Sequence, residues 1–334
     1  LQVLFGGNLK NSVLVLLIFG LCASVNAQFN KVGRTSLQFV KIGIGARETA
    51  MGEACIANLN SVDAVFWNPA ALTQVQNQQA SFHFTKLFAD MNVMSASAGV
   101  NLGSLGVLAL SYSYLDYGNF EEAPVTSASG GTDTRTGNSF SGKDVSMGVS
   151  LARAFTDKLS IGVSVKYLRE DLYKYYASMM AFDIGSYYDT GWKGIRLAMS
   201  AQNFSSQARW LYTGAENQQS YEIPLLYRIG TSIDLLGGED LFLGGDPMQH
   251  RLTLNIDAIH SNDYSERLNI GGEYVFLNRF YLRGGYRFNT DEGKLSAGIG
   301  VDTEISGFKF QVDYSYVNNE YLESPHRFSL MLTF

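Results

Sequence analysis

A two-residue alternation that begins at Ser81 and runs to Phe334 constrains this chain more than any other feature. A β-strand sends successive side chains to opposite faces. In Phe308 to Tyr316 one face carries Phe308, Phe310, Val312, Tyr314 and Tyr316, and the other carries Lys309, Gln311, Asp313 and Ser315. The pattern repeats at Leu252, Leu254 and Ile256 against Thr253, Asn255 and Asp257. It returns at Leu108, Leu110, Tyr112 and Tyr114 against Ser111 and Ser113, and at Leu159, Ile161, Val163 and Val165 against Ser160, Gly162, Ser164 and Lys166. In a soluble sandwich each apolar face would point into a core, but here almost every segment has one and no helical segments exist to cover them. Outer-membrane lipid is the simplest cover. The expected fold class is therefore all-β, a closed antiparallel transmembrane β-barrel.

The alternating segments are 81–88, 94–102, 106–115, 145–155, 159–169, 175–188, 196–204, 225–236, 250–260, 267–276, 280–288, 294–302, 307–316 and 326–334. That makes fourteen, and single-chain bacterial barrels have an even number. Connections at 103–105, 156–158, 277–279 and 304–306 are short, whereas 116–144, 205–224 and 317–325 are long and polar or Gly/Ser-rich, with 237–249 a longer exception on the short side. Short periplasmic turns alternating with long outer loops would leave both mature termini in the periplasm. The last strand ends on Phe334, an aromatic end of the kind the assembly machinery recognises.

Composition agrees. Only 17% of residues are charged, against roughly 25% in soluble domains, while Gly (34), Phe (21) and Tyr (19) are abundant and Pro (5) is scarce. A net charge of −6 without any Lys/Arg cluster excludes a nucleic-acid partner. Lys10, the apolar run Val13 to Leu21 and Val25-Asn26-Ala27 read as a signal peptide over 1–27, cleaved after Ala27. The run is shorter than the roughly 20 residues of a spanning helix, and Leu21 before Cys22 argues against a lipoprotein. Leu1 to Gly7 is given no function. Removal of Cys22 leaves Cys55 alone, so no disulfide forms within the mature chain.

On the polar faces Lys166, Asp257, Glu273, Arg283, Arg287, Lys309 and Asp313 would all point into the lumen, with both signs present and ion pairs expected, because an uncompensated charge in a closed interior is costly. An enzyme is disfavoured. His83, His250, His260 and His326 lack metal-ligand spacing, no Gly-x-Ser-x-Gly elbow occurs, and no cofactor or metal is expected. A Ser and a His on neighbouring strands is the one catalytic arrangement left open.

Residues 28–80 do not alternate and are expected to form a small plug ahead of the barrel at 81–334. They contain Gly43-Ile44-Gly45-Ala46-Arg47-Glu48-Thr49-Ala50-Met51-Gly52-Glu53-Ala54 and Val65-Phe66-Trp67-Asn68-Pro69-Ala70-Ala71-Leu72. The first is not a dinucleotide fingerprint, since Glu48 takes the third glycine's place and no βαβ unit surrounds it. The pair resembles the PorV/PorQ family, relatives of the FadL-type channels, over nearly the whole mature chain. The resemblance implies a fourteen-stranded barrel whose N-terminal segment folds into the lumen, with Arg47, Asn68 and Pro69 in that plug. Asn68-Pro69 would make a sharp bend, and Arg47 would pair with a lumen carboxylate such as Asp257, Asp313 or Glu273.

The resemblance further implies a component of a type IX secretion system in a Gram-negative, Bacteroidota-like outer membrane, binding a translocon subunit or the C-terminal signal domains of secreted proteins. Phe120 in one long connection and Trp210, Leu211 and Tyr212 in another would anchor such a partner. For Tyr117 and Tyr221, near strand ends, a place in the interfacial aromatic girdle is the equal alternative. The competing expectation is a FadL-like channel for hydrophobic small molecules with a lipid-like ligand in the lumen. That requires an apolar pocket near the outer loops beside a kinked or interrupted strand, for which Gly271-Gly272 and Gly284-Gly285 are candidates. The charged lumen favours secretion-linked binding over transport.

Overall fold

The computed structural model describes residues 33, 35–122, 137–212 and 215–334. The signal-peptide assignment with Cys22, and the middle of the 116–144 connection, lie outside the described residues. Sixteen strands form one antiparallel sheet: β1 (Gln79–Lys86), β2 (Asn92–Asn101), β3 (Val107–Glu121), β4 (Ser139–Ala154), β5 (Leu159–Leu172), β6 (Tyr175–Asp189), β7 (Ile195–Ser205), β8 (Ala208–Tyr212), β9 (Ala215–Tyr221), β10 (Leu226–Leu236), β11 (His250–Ser261), β12 (Arg267–Phe276), β13 (Phe280–Phe288), β14 (Leu295–Ile305), β15 (Phe308–Asn318) and β16 (His326–Thr333). Fourteen of them close on themselves. β1 pairs β16 from Gln79↔Thr333 to Lys86↔His326, β5 pairs β6, and β7 pairs β10 directly, which leaves β8 and β9 as a hairpin outside the ring. Closure removes the unpaired edges that hydrocarbon could not satisfy.

The alternation sorts as the physics of a lipid-covered wall demands. In β15, Gln311, Asp313 and Ser315 are buried, while Val312 and Tyr316 are exposed. The same holds for Phe82 and Phe84 in β1, Val163 and Val165 in β5, and Phe328 and Leu330 in β16. These exposed apolar rows are continuous around the ring, and water is the wrong solvent for them. No helix among the described residues is long and apolar enough to cross a membrane, so the crossing is made by strands.

Two differences from the sequence expectation concern the ends. β3 and β4 continue to Glu121 and from Ser139, well beyond the expected 115 and 145, with a bulge between Asp116 and Asn119 where Gly118 takes a positive φ of 77°. The 205–224 connection is folded as β8–β9. One of the connections at the long-loop end, between β5 and β6, is a tight turn at Tyr173-Lys174.

The expected mature N-terminus at Gln28 lies outside the described residues. Phe334 closes at the short-turn end, where its N–H donates to Gln78 O at 3.0 Å. Thr35 sits at the opposite, long-loop end, bridged to Glu222, with Ser36 N donating to Glu222 O at 2.9 Å. From Thr35 the segment descends the lumen before β1 begins, so Thr35 and Phe334 lie at opposite ends of the barrel.

Candidate functional site

The lumen is filled by residues 35–78. Their upper stretch, a strap over 35–45, is held to the wall by side chains at the long-loop end. Leu37 N donates to Glu170 Oε2 at 2.9 Å, Trp210 Nε1 donates to Ser36 Oγ at 3.0 Å, and Lys41 Nζ lies 2.8 Å from Asp263 Oδ2. Burial would raise the Asp263 carboxyl, but hydrogen bonds from Lys41, Ser261, Thr35 and Gln38 hold it well below the usual carboxylate range. Trp210 thus packs inward against the strap. Its indole N–H is taken by Ser36, and the residue stays half-buried.

Below the strap, the first sequence motif forms a short helix, α1 (Ala46–Ala50), and the second forms a 3₁₀ turn, Pro69–Gln74. Asn68 caps that turn: its Oδ1 accepts from Ala70 N at 3.1 Å, while its Nδ2 donates to Ile56 O at 3.3 Å and to Ser186 O of β6 at 3.1 Å. Proline at the first position suits the turn, because its missing N–H would have had no partner there. Both motifs lie against lumen-facing glycines. A Cβ on Gly185 would strike Asn68 Oδ1, one on Gly162 the backbone of Pro69 and Ala70, one on Gly271 Met51 O, and one on Gly285 Gly52 N. Gly271-Gly272 and Gly284-Gly285 were candidates for breaking the ladder. Instead β12 and β13 pair without interruption from Leu268↔Phe288 to Phe276↔Phe280, and the inward glycine of each pair makes a socket for the interior segment.

The interior charges form a chain. Arg47 grips Glu273 with both oxygens, Nε to Oε2 at 2.9 Å and Nη2 to Oε1 at 2.8 Å. Arg283 Nε bonds the same Glu273 Oε2 at 2.6 Å, and its Nη1 pairs with Asp313. Asp257, also offered as a partner for Arg47, accepts instead from Cys55 N at 2.8 Å and Ile56 N at 3.1 Å. Lys166 pairs with Asp183 at 2.9 Å, and Arg287 with Glu53 at 3.0 Å. Lys309 departs from expectation: it lies at the short-turn end, is 57% exposed at its side chain, and pairs with Asp302 at 2.7 Å. It is the second residue of β15, too close to the mouth to be enclosed.

A Ser and His pairing on neighbouring strands does occur. His83 Nδ1 lies 2.8 Å from Ser329 Oγ, and its Nε2 faces both Asp63 Oδ1 and Ser81 Oγ at 3.0 Å. Ser329 Oγ also accepts from Ala46 N at 2.8 Å, and all of these groups are buried. The arrangement stitches α1 to β1 and β16 and was invisible in the sequence, because it depends on which strands meet at closure.

Between strap and wall is a cavity of about 60 Å³, lined by Phe39, Ile42, Phe66, Trp67 and Leu168 together with Ser111, Ser113, Ser146, Lys166, Gln202 and Arg228. Trp67 Nε1 donates to Ile44 O at 3.0 Å, and the Arg228 guanidinium lies 4.8 Å from the Trp67 ring centroid. Directly across the wall, Ile161, Ile184, Met199, Tyr227 and Ile229 border a lipid-side groove of about 400 Å³. The wall here is irregular. β7–β10 pairing stops at Gln202↔Leu226, and β6–β7 pairing shifts register between Phe182 and Ile184. Asn203 sits in the left-handed region at φ 69°. Its N–H donates to Asp183 Oδ1 at 2.8 Å, its Oδ1 accepts from Lys166 Nζ at 2.6 Å, and its Nδ2 donates to Pro224 O at 3.0 Å. This is a bulge built and braced by specific polar groups, and it bends the strand beside the cavity.

The remaining loop residues are more peripheral. Phe120 is exposed and stacks on Phe140 at 5.6 Å on the extended β3–β4 hairpin. Leu211 pairs in register with Tyr176, and Tyr212, 39% exposed, has its ring 4.9 Å from Tyr175. Phe334 packs edge-on against Phe308 with centroids 6.0 Å apart.

Fourteen lipid-facing strands closed into a ring define the class: a β-barrel membrane protein. No protein-family model matches the chain, and no curated protein matches it. Among solved structures it is similar to the toluene transporter TodX of Pseudomonas putida, at 12% identity over 87% of this chain and 97% of that one, with a TM-score of 0.58. It is also similar to a FadL homologue of Pseudomonas aeruginosa, at 12% identity over 88% and 98% of the two chains, with a TM-score of 0.53. The fold is thus that of the FadL-type barrels.

Proposed function

We propose that this chain is an outer-membrane channel of FadL-like type, which takes a hydrophobic small molecule into its plugged lumen through the wall beside the β7–β10 seam. The observation that carries this is the bulged, incompletely paired wall at Asp183 and Asn203, with an aromatic-lined cavity inside it and an apolar groove outside it. The transport alternative required an apolar pocket near the outer loops beside an interrupted strand; the strand is interrupted here, and the pocket is apolar at Phe39, Phe66 and Trp67 but polar at Lys166, Gln202 and Arg228. The similar barrels include TodX, described both as a toluene transporter and as a monoaromatic hydrocarbon channel, and that chemistry suits Phe39, Phe66 and Trp67. At about 60 Å³ the cavity holds water-sized guests, so a larger ligand enters only as the strap shifts.

Trp67 supplies the test. In a Trp192→Phe/Trp210→Phe background it is the remaining tryptophan, and a bromobenzene probe should quench it saturably in detergent-solubilised protein. Linear, non-saturating quenching equal to that of free tryptophan would sink the proposal.

The secretion reading keeps one support of its own. The paired motifs around Arg47 and Asn68-Pro69 resemble the PorV/PorQ family, and the β8–β9 hairpin with Tyr212 offers a surface for a protein partner. A photo-crosslinker at position 212 in native membranes should then capture proteins that share a C-terminal domain. Adducts with lipid alone would remove that reading.

A further inference from the structure

A cluster of cations begins at Arg228, which also lines the cavity, and continues around the wall on β12, β13 and β16. Four arginines there face inward near the long-loop end: Arg228, Arg267, Arg287 and Arg327. Their placement follows from the register. Arg228 is opposite Ile259, which is opposite Arg267, Arg287 is opposite Asn269 on the same β12, and Arg327 lies between Ser315 and Thr85. Among the described residues one carboxylate is in direct contact with the group, Glu53, at 3.0 Å from Arg287. Burial alone would push the Glu53 carboxyl up, but the charges of Arg287, Arg228, Arg267 and Arg327 together hold it below its usual value.

The cluster is under-partnered in a way that points to a ligand. Arg228 is 4% exposed and Arg327 is 6% exposed, yet Nε and Nη1 of both find no hydrogen-bond partner among the described residues. The same is true of Arg267 Nε and of both amide atoms of Asn269, which is fully buried. Buried donors without acceptors are rare in folded proteins, and buried unpaired charges rarer still. Among the described residues Asp257 is the one further carboxylate facing Arg228, and its Oδ2 accepts from Cys55 N and Ile56 N rather than from a guanidinium. Four guanidiniums against Glu53 leave three positive charges, more than one further carboxylate would neutralise.

We propose that Arg228, Arg267, Arg287, Arg327 and Asn269 form a binding site for a doubly charged phosphoryl group. Guanidinium forks match its oxygens two at a time, and Asn269 adds an uncharged donor. Arg267 and Arg287 are only part-buried, so they give the approach from the long-loop mouth, whereas Arg228 and Arg327 form the enclosed end. The site shares Arg228 with the cavity beside the β7–β10 seam but takes a ligand of different chemistry, and the two are read by separate probes.

The test is calorimetric titration of the full detergent-solubilised barrel with inorganic phosphate, in chloride buffer at fixed ionic strength, and in parallel with n-decyl phosphate. Saturable binding is expected, weakened about tenfold or more in Arg228→Gln and in Arg327→Gln. Glu53→Gln, which frees Arg287, should tighten it, and Lys309→Gln at the other end should leave it unchanged. Decyl phosphate binding much more tightly than phosphate would assign the site to a phosphorylated amphiphile, and equal binding would assign it to the free anion. No saturable binding of either probe, or binding unaltered in both arginine variants, would overturn the proposal.

Discussion

Inside the lumen single residues are set against one another with little water to absorb a mismatch, and Glu48 shows the consequence. Neither of its carboxylate oxygens has a hydrogen-bond partner among the described residues, and burial, then the nearby charge of Asp63, pushes its carboxyl up to about 7. The folded chain therefore binds this proton more tightly than the unfolded chain. The stability it contributes is fully present below about pH 4.5 and is lost as the pH rises through about 7. Glu48→Gln should stabilise the interior segment by on the order of 2–3 kcal/mol at pH 8 and hardly at all at pH 4, read as slower hydrogen exchange across 46–54. Arg47 gives a second prediction at this scale. Arg47→Met leaves Glu273 with Arg283 alone and should cost about 3 kcal/mol, whereas adding Glu273→Met should recover most of it. Thermal denaturation of the four members of the cycle measures this. In the sequence Glu273 was one of three equivalent partners for Arg47, because the depth at which α1 rests decides the pairing and no local pattern records depth.

At the scale of elements, alternation made the strands readable. β12 and β13 begin and end where the sequence pattern placed them, since lipid on one side and a packed lumen on the other enforce the period at every residue. Beyond the membrane that enforcement lapses, and there the reading fell short, at the outer ends of β3 and β4 and at the β8–β9 hairpin in a Gln-rich stretch. The glycines were misread for a related reason: a strand glycine signals close approach of something, but the sequence does not say of what. Gly284 and Gly285 separate the two meanings. A Cβ on Gly285 would meet Gly52 N, whereas one on Gly284 has nothing nearer than Ser296 O at 3.9 Å. Gly285→Ala should therefore dislodge Met51-Gly52 and expose Cys55, a fully buried thiol, to maleimide, with labelling of the Cys55 peptide followed by mass spectrometry. Gly284→Ala should leave Cys55 protected.

For the whole molecule, the outward rows and the filled lumen make separate claims. If lipid covers Val312 at mid-strand, Val312→Arg should lower folding stability in vesicles by about 2–4 kcal/mol, measured by denaturant titration. The same substitution at Lys309, near the mouth and already charged, should have little effect. The filling rests on residues 35–78 lying within the ring, and ion conductance in a planar bilayer tests it most directly. The intact barrel should stay near the bilayer's baseline, and deletion of residues 36–75 should produce discrete, stable openings. An intact barrel that conducts as freely as the deletion variant would contradict the account.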